Sequence, residues 1–412
     1  MKLPSRPGRR QRLPLICDTH ARDGGRLHGE RLAKGPKRRY RMARHRMVDE
    51  FIELAQIDAE TKNERRMADR LKEKLEALGF SVTEDEAGET IGGNAGNLYA
   101  VLPGELPGEL MFCAHMDRVP PGNGICPVVD EAAGTITSDG STILAADDLA
   151  GVEAILEGVR QAVESGQPHQ TIEVVFTVCE EISLQGSLHF DCSRLRSKIG
   201  YVLDTSGAVG RIVSRAPYKG VLTLDVWGKA SHAGNYPERG VNAIMATAHI
   251  LDGLPEGRLG PEATSNFGVI SGGSNIGTVC DHVTIQAELR NHDKDGLLSY
   301  LEEVKSHCRK RISETQARLE IKFEIAYDGF RVDEDEAVMR RLLDAMRAMG
   351  VEPSIQMGMG GMDANNFCSR GLRCVGVAVG YNDPHALYEK ITIPEFIKAA
   401  ELVRRIVLSP VR

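Results

Sequence analysis

No uninterrupted apolar run in the 412-residue chain reaches the roughly 18 residues that a membrane helix needs, so the reading is of a chain without a membrane span. The nine cysteines are odd in number and include no CxxC pair. They supply neither a disulfide framework nor a Cys-rich zinc site, and they fit a reducing, cytoplasmic compartment. No GxGxxG opens a helix after the first strand, and no GK(S/T) follows a Gly-rich loop, so nucleotide-cradling motifs are missing. Motifs for DNA or RNA binding are missing too, and no nucleic-acid partner is expected.

The net charge of −7 averages two unlike parts. Residues 1–46 hold 15 Lys/Arg against Asp18, Asp23 and Glu30, a charge of +12, and the other 366 residues carry −19. The head has Leu13 to Cys17 as its apolar stretch, shorter than the roughly 7–15 residues of a secretory h-region. It holds one Ser and three acids, a poor transit peptide. Rich in Pro, Gly and Arg without periodicity, it is expected to be disordered. A start assigned upstream of Met42 or Met47 explains it without a function.

The body reads as α/β. Helical spacing of Val48, Phe51, Ile52 and Ala55 is followed by Thr61 and Glu64 as a capping box before Ala68, Leu71, Leu75 and Leu78. Continuous apolar runs at 98–102, 110–114, 172–178, 199–203 and 374–379 predict strands buried on both faces, with helices at 150–163 and 336–349. That pattern predicts a largely parallel sheet flanked by helices. Between 216 and 328 the pattern changes to alternation (Leu222/Leu224/Val226, Val283/Ile285/Ala287/Leu289, Leu319/Ile321/Phe323/Ile325), with helical stripes at 244–251 and 297–312. The order β-α-β-β-α-β predicts an inserted ferredoxin-like α+β unit. The expected division is 1–46, a basic extension; 47–215 and 329–412, two parts of one α/β domain; and 216–328, the insert.

Metal-type side chains fall where those strands end. The run at 110–114 leads into His115-Met116-Asp117, 172–178 into Cys179-Glu180-Glu181, and 199–203 into Asp204. The run at 374–379 precedes a loop with His385, and Asp147-Asp148 open a helix. An Asp after a strand is ordinarily a turn or cap, and paired acids are ordinarily solvated. Five such arrivals at the carboxyl edge of one sheet favour a site. Imidazole and carboxylate without thiolate suit hydrolysis with zinc or a similar divalent ion.

His115-x-Asp117, Ala145-Ala146-Asp147-Asp148-Leu149-Ala150-Gly151-Val152, Phe176-Thr177-Val178-Cys179-Glu180-Glu181, Leu203-Asp204 and the late His385 stand in the order of a known family. With Lys229-Ala230-Ser231-His232-Ala233-Gly234 and Pro237-Glu238-x-Gly240-Val241-Asn242-Ala243-Ile244, they resemble the co-catalytic zinc exopeptidases related to peptidase T, carboxypeptidase G and aminoacylase. The tripeptide aminopeptidase-like branch is the nearest in likeness, over about 47–407. The resemblance implies two Zn2+ per subunit, with Co2+ or Mn2+ suited to the same N/O donors. It implies that Asp147 bridges the ions, that His115 and Asp204 complete one, and that Glu181 and His385 complete the other. It also implies a cis peptide at Asp147–Asp148, orientation of His115 by Asp117, and Glu180 as general base.

By the same resemblance the insert is a lid and dimerisation domain, and His232 reaches the partner subunit's site in a homodimer. Arg290 binds substrate carboxylate, although Asn291-His292 departs from the small residues expected after it. Asn275, Gly360 and Gly361, in two Gly-rich loops, lie near substrate backbone. The activity implied is hydrolysis of short peptides, as a tripeptide aminopeptidase. A carboxypeptidase or an N-acyl-amino-acid amidohydrolase is the alternative within the clan.

Overall fold

A strand flanked by strands and covered on both faces buries every side chain, which is why the continuous apolar runs end up at the centre of a sheet. The computed structural model describes residues 45–409. Its central strands, Gln170–Thr177, Leu106–His115, Ile199–Thr205 and Arg373–Ala378, lie side by side in that order and run parallel. Parallel pairing puts all their carboxyl ends on one edge. Antiparallel strands extend the sheet outward: Leu98–Leu102 and Ser81–Glu84 on one side, Arg211–Ala216 and Phe330–Arg331 on the other. Ser354–Met357 joins Arg211–Ala216 in parallel. A small four-stranded sheet, Tyr381–Asn382, Lys390–Thr392, Thr135–Thr137 and Val128–Asp130, stands beside it.

The first helix is Arg46–Ala55, whose Met47, Val48, Phe51, Leu54 and Ala55 are buried. Phe51 meets Phe396 edge-on at 5.7 Å. Arg46, counted above with the basic head, belongs to this helix and pairs with Glu157 and Glu164, each at 2.8 Å. The readings of the rest of the head fall on residues 1–44, outside the described residues. The capping box is a correction. The second helix, Arg65–Ala77, takes Glu64 itself as its N-cap, with no side-chain cap bond. Glu64 is fully buried and accepts from the backbone N–H groups of Lys62 and Cys179, while the Thr61 hydroxyl donates to Asp117. Two polar groups that could have capped a helix are more strongly recruited by buried donors and acceptors around the site.

The chain leaves the large sheet after Ala216 and builds a second, antiparallel sheet with its own core. Its order is Gly257–Gly260, Ala263–Gly272, His282–Asn291, Tyr218–Trp227, Arg318–Tyr327. Apart from the short extra strand Gly257–Gly260, this is the ferredoxin-like arrangement the pattern predicted. Leu222, Leu224, Val226, Val283, Ile285, Ala287 and Leu289 face inward, toward the helices Ala243–Leu251 and Lys294–Ser313. Among the described residues no helix is long and apolar enough to cross a membrane.

The helices Ala146–Glu164 and Ile393–Leu408 cross at Gly158, where an added Cβ would lie 2.5 Å from Val403 Cβ and 2.6 Å from the Ala400 carbonyl oxygen. Gly158→Ala is therefore expected to destabilise the protein by about 1–3 kcal/mol through overpacking. The urea midpoint measures this, and an unchanged midpoint would show that the two helices part freely.

Candidate metal centre

His115 is the last residue of its strand, Asp204 the penultimate residue of the neighbouring one, and Glu180 and Glu181 follow the end of Gln170–Thr177. His385 sits in the turn between Tyr381–Asn382 and Lys390–Thr392. Asp147 and Asp148 stand at the mouth of Ala146–Glu164 with non-helical torsions, joined by a cis peptide bond as the resemblance implied. Ala145, Cys179 and His385 have positive φ (59°, 52° and 62°), so the backbone adopts conformations unusual for non-glycine residues on three of the segments that deliver these groups.

The side chains converge. His115 Nε2 is 3.1 Å from Asp147 Oδ1, and His385 Nε2 is 3.0 Å from Glu181 Oε1 and 3.4 Å from Asp147 Oδ2. Possible donor atoms of His115, Asp147 and Glu181 lie within 4.8 Å of one another, as do those of His115, Glu180 and Asp204 and those of Asp147, Asp148 and Asp204. Asp147 thus stands between the two imidazoles. All five expected metal ligands belong to this one cluster.

Electrostatics fit a cation there. Burial pushes the Asp204 carboxyl up to about 8, with Asp147 adding repulsion. Burial, then Asp204, raises Asp148 well above its usual range, and burial likewise raises Glu180, Glu181 and Asp363. Burial alone would raise Asp147 as well, yet hydrogen bonds from His115 and His385 hold it below the carboxylate range. Hydrogen bonds to Asp147 and Glu181 lift His385 to about 10. Asp148 Oδ1 and Asp363 Oδ1 are buried with no hydrogen-bond partner. Acids this close, desolvated, with two imidazoles as their compensation, have the chemistry of a divalent-ion site.

Asp117 ties the cluster together. Its Oδ1 lies 3.3 Å from His115 Nδ1 and accepts the Glu180 N–H at 3.0 Å, and its Oδ2 accepts from Thr61 Oγ1 at 2.8 Å. Sequence reasoning missed three supporting groups. Tyr381 donates its hydroxyl to Asp204 Oδ1 at 3.0 Å. Asp363, in the second Gly-rich loop, accepts from Thr177 Oγ1. Glu389 is fully buried and accepts the N–H groups of Leu144, Ala145 and Asp147 at 2.8–3.0 Å, which fixes the loop presenting Asp147. Its one signal in the sequence is a lone acid four residues after His385.

The remaining candidates stand apart. His232 is exposed on the insert, and its Nδ1 accepts the N–H groups of Gly234 and Asn235, which leaves the ring proton on Nε2. No contact joins it to the cluster among the described residues. Arg290 Nε and Nη2 are taken by Glu288, and Nη1 donates to the Met359 carbonyl oxygen, so its fork already holds a carboxylate and clips the insert to the loop at 358–362. Asn275 is exposed and accepts the Gly277 N–H. Gly360 borders open space, whereas a Cβ on Gly361 would lie 2.4 Å from the Tyr327 ring.

Glu389→Gln replaces one oxygen of this loop clamp with a donor facing backbone N–H. Metal affinity, measured by competition with a chromogenic chelator, is expected to fall about 10–100-fold with an unchanged circular dichroism spectrum. Unaltered affinity would remove Glu389 from the support of Asp147.

Family models match two stretches: "Peptidase family M28" over residues 97–214 and "Peptidase dimerisation domain" over 220–316. Over 363 residues the chain is 37% identical to the uncharacterized protein YqjE of Bacillus subtilis, covering 88% of this chain and 97% of that one. The crystal structure of aminopeptidase PepT from Bacillus cereus is similar at 39% identity and TM-score 0.79, over 88% of this chain and 97% of its own. A tripeptidase from Staphylococcus aureus is similar at 34% identity and TM-score 0.83, with the same coverage. Identity at this level along nearly the whole of each relative is shared ancestry: the chain belongs to the peptidase T-like family of zinc exopeptidases.

Proposed function

We propose that the protein is a cytoplasmic, homodimeric metallo-aminopeptidase that hydrolyses tripeptides and peptides of similar length. The observation that carries this reading is the cluster of buried His115 and Asp147, half-buried Glu181 and Asp204 and exposed His385, with buried Glu180 beside it. The names of the B. cereus and S. aureus relatives, aminopeptidase and tripeptidase, support the substrate. Two divalent ions, zinc by the donor set, would be held by those five residues, with Asp147 shared. Bound there, they supply Lewis-acid polarisation of the scissile carbonyl and of water.

The chain's own groups do the rest. Glu180, desolvated beside His115 and Asp204, takes a proton from the attacking water and returns it to the leaving amine. Asp117 Oδ1 holds the His115 ring in place from behind through Nδ1 and accepts the Glu180 backbone N–H, while its Oδ2 is held by Thr61. His232, protonated on Nε2, donates to the developing oxyanion in the partner subunit. The homodimer is supported by an exposed apolar surface on the insert: Ile244, Met245, Val269 and Ile270. Ala263–Gly272 is covered by Gly257–Gly260 only over Ala263 to Ser265, so the rest of that strand offers a free edge.

Glu180→Ala is expected to keep its metal content while kcat falls by about 10²–10⁴-fold or more; full activity would sink the mechanism. A panel of free tripeptides, their N-acetylated forms and acyl amino acids tests the substrate. Preference for the blocked compounds would replace the aminopeptidase with an amidohydrolase. Met245→Glu with Ile270→Glu is expected to give a monomer in light scattering and to abolish turnover; an active monomer would remove His232 from the reaction.

A further inference from the structure

At the opposite edge of the large sheet, a cavity of about 540 Å³ opens where the central strands begin. Ile199 and Gln170, the first residues of their strands, form part of its wall, and Asp204 lies five residues further along the first of them. At about 3.3 Å per residue, the cavity is roughly 16 Å from the metal cluster along that strand. Four arginines line it: Arg340 and Arg341 from Ala337–Ala348, Arg404 and Arg405 from Ile393–Leu408. Asp344 is the one acidic residue of the wall, so the lining carries +3 in a body of net negative charge.

The guanidinium groups are poorly neutralised. Arg341 donates to the carbonyl oxygens of Ile406 and Ser409 and to Gln170 Oε1, all neutral acceptors, and burial lowers its pKa. Arg340 donates Nη1 to the Asp335 carbonyl oxygen. Arg404 and Arg405 share a single carboxylate, Glu401, and Arg405 gives it only Nε. Arg340 and Arg405 therefore keep donors without partners among the described residues. Like charges gathered in one concavity repel, and an anion removes that repulsion while filling the free donors. Ala337, Ala345, Ala348 and Leu408 give the same cavity an apolar wall, and its volume lies in the range of small-molecule sites.

We propose that this cavity is a binding site for a phosphate-bearing small molecule, held by arginine forks rather than by a glycine-rich loop, and separate from the peptide site. Two sources share that chemistry: a free diphosphate, which uses the arginines alone, and a nucleoside diphosphate, which also uses the apolar wall. Calorimetric titration of the full-length, metal-loaded protein with pyrophosphate, ADP and citrate at matched ionic strength tests it, with metal content checked afterwards. Saturable one-to-one binding of a phosphate ligand is expected, weakened at least about tenfold in Arg340→Gln/Arg405→Gln, while tripeptide turnover without ligand is unchanged. Arg341 is left intact because it caps a helix end. Tighter binding of ADP than of pyrophosphate identifies the nucleotide source, and equal binding identifies the free diphosphate. The proposal is overturned if neither phosphate ligand saturates, if citrate binds and they do not, if the arginine variant binds as well as the parent, or if a chelator or competing peptide abolishes binding.

Discussion

The mutual repulsion of carboxylates taken out of water shapes this molecule. Asp147, Asp148, Glu180, Glu181, Asp204 and Asp363 crowd the end of one sheet, with His115 and His385 as their imidazole counterparts. Each would be costly to bury charged and alone. A cluster of this kind is tolerable only where a strong cation is provided for and where the surrounding chain prevents the acids from swinging apart. The rest of the catalytic domain can be understood as meeting that second requirement.

Two carboxylates outside the five candidate ligands brace the cluster. Asp117 links the end of one strand to the turn after its neighbour and to Thr61, and Glu389 closes the loop before Asp147 with three backbone donors. Glu389 turns its charge toward backbone N–H groups, and Asp117 turns its own toward the Glu180 N–H, the Thr61 hydroxyl and the far side of the His115 ring, so each is held by donors while it fixes its neighbours. The parallel centre of the sheet makes this arrangement economical, because adjacent strands bring separate sequence segments to the same edge in register.

The strands and their parallel grouping were legible because the signal is local: apolar runs of strand length, three of which lead into His115, Glu180-Glu181 and Asp204. Asp147 at a helix start and His385 in a loop were picked out as ligands with them through the resemblance. The ferredoxin-like insert was legible for the same reason, through alternation in strands such as 222–226 and 283–289. What sequence could not supply was partnership between distant residues. Thr61 and Glu64 have the spacing of a capping box, yet the buried Cys179 N–H and Asp117 claim them. Glu389 and Tyr381 look like ordinary loop residues until the fold brings them to Asp147 and Asp204. Arg290 matched a pattern for carboxylate recognition, and the structure shows which carboxylate two residues away already occupies it. Local periodicity specifies elements, while the identity of a polar group's partner is a property of the assembled fold.

The insertion point has a consequence of its own. The strand before the insert and the strand after it are hydrogen-bonded neighbours, with Ala216 opposite Phe330. The insert thus leaves and rejoins the sheet through one narrow doorway, and the order of the remaining strands closes without it. Such a module can be lengthened, reshaped or exchanged while the metal-holding edge keeps its geometry. One hydrolytic engine can in this way acquire new substrates and new subunit contacts through changes confined to a detachable part.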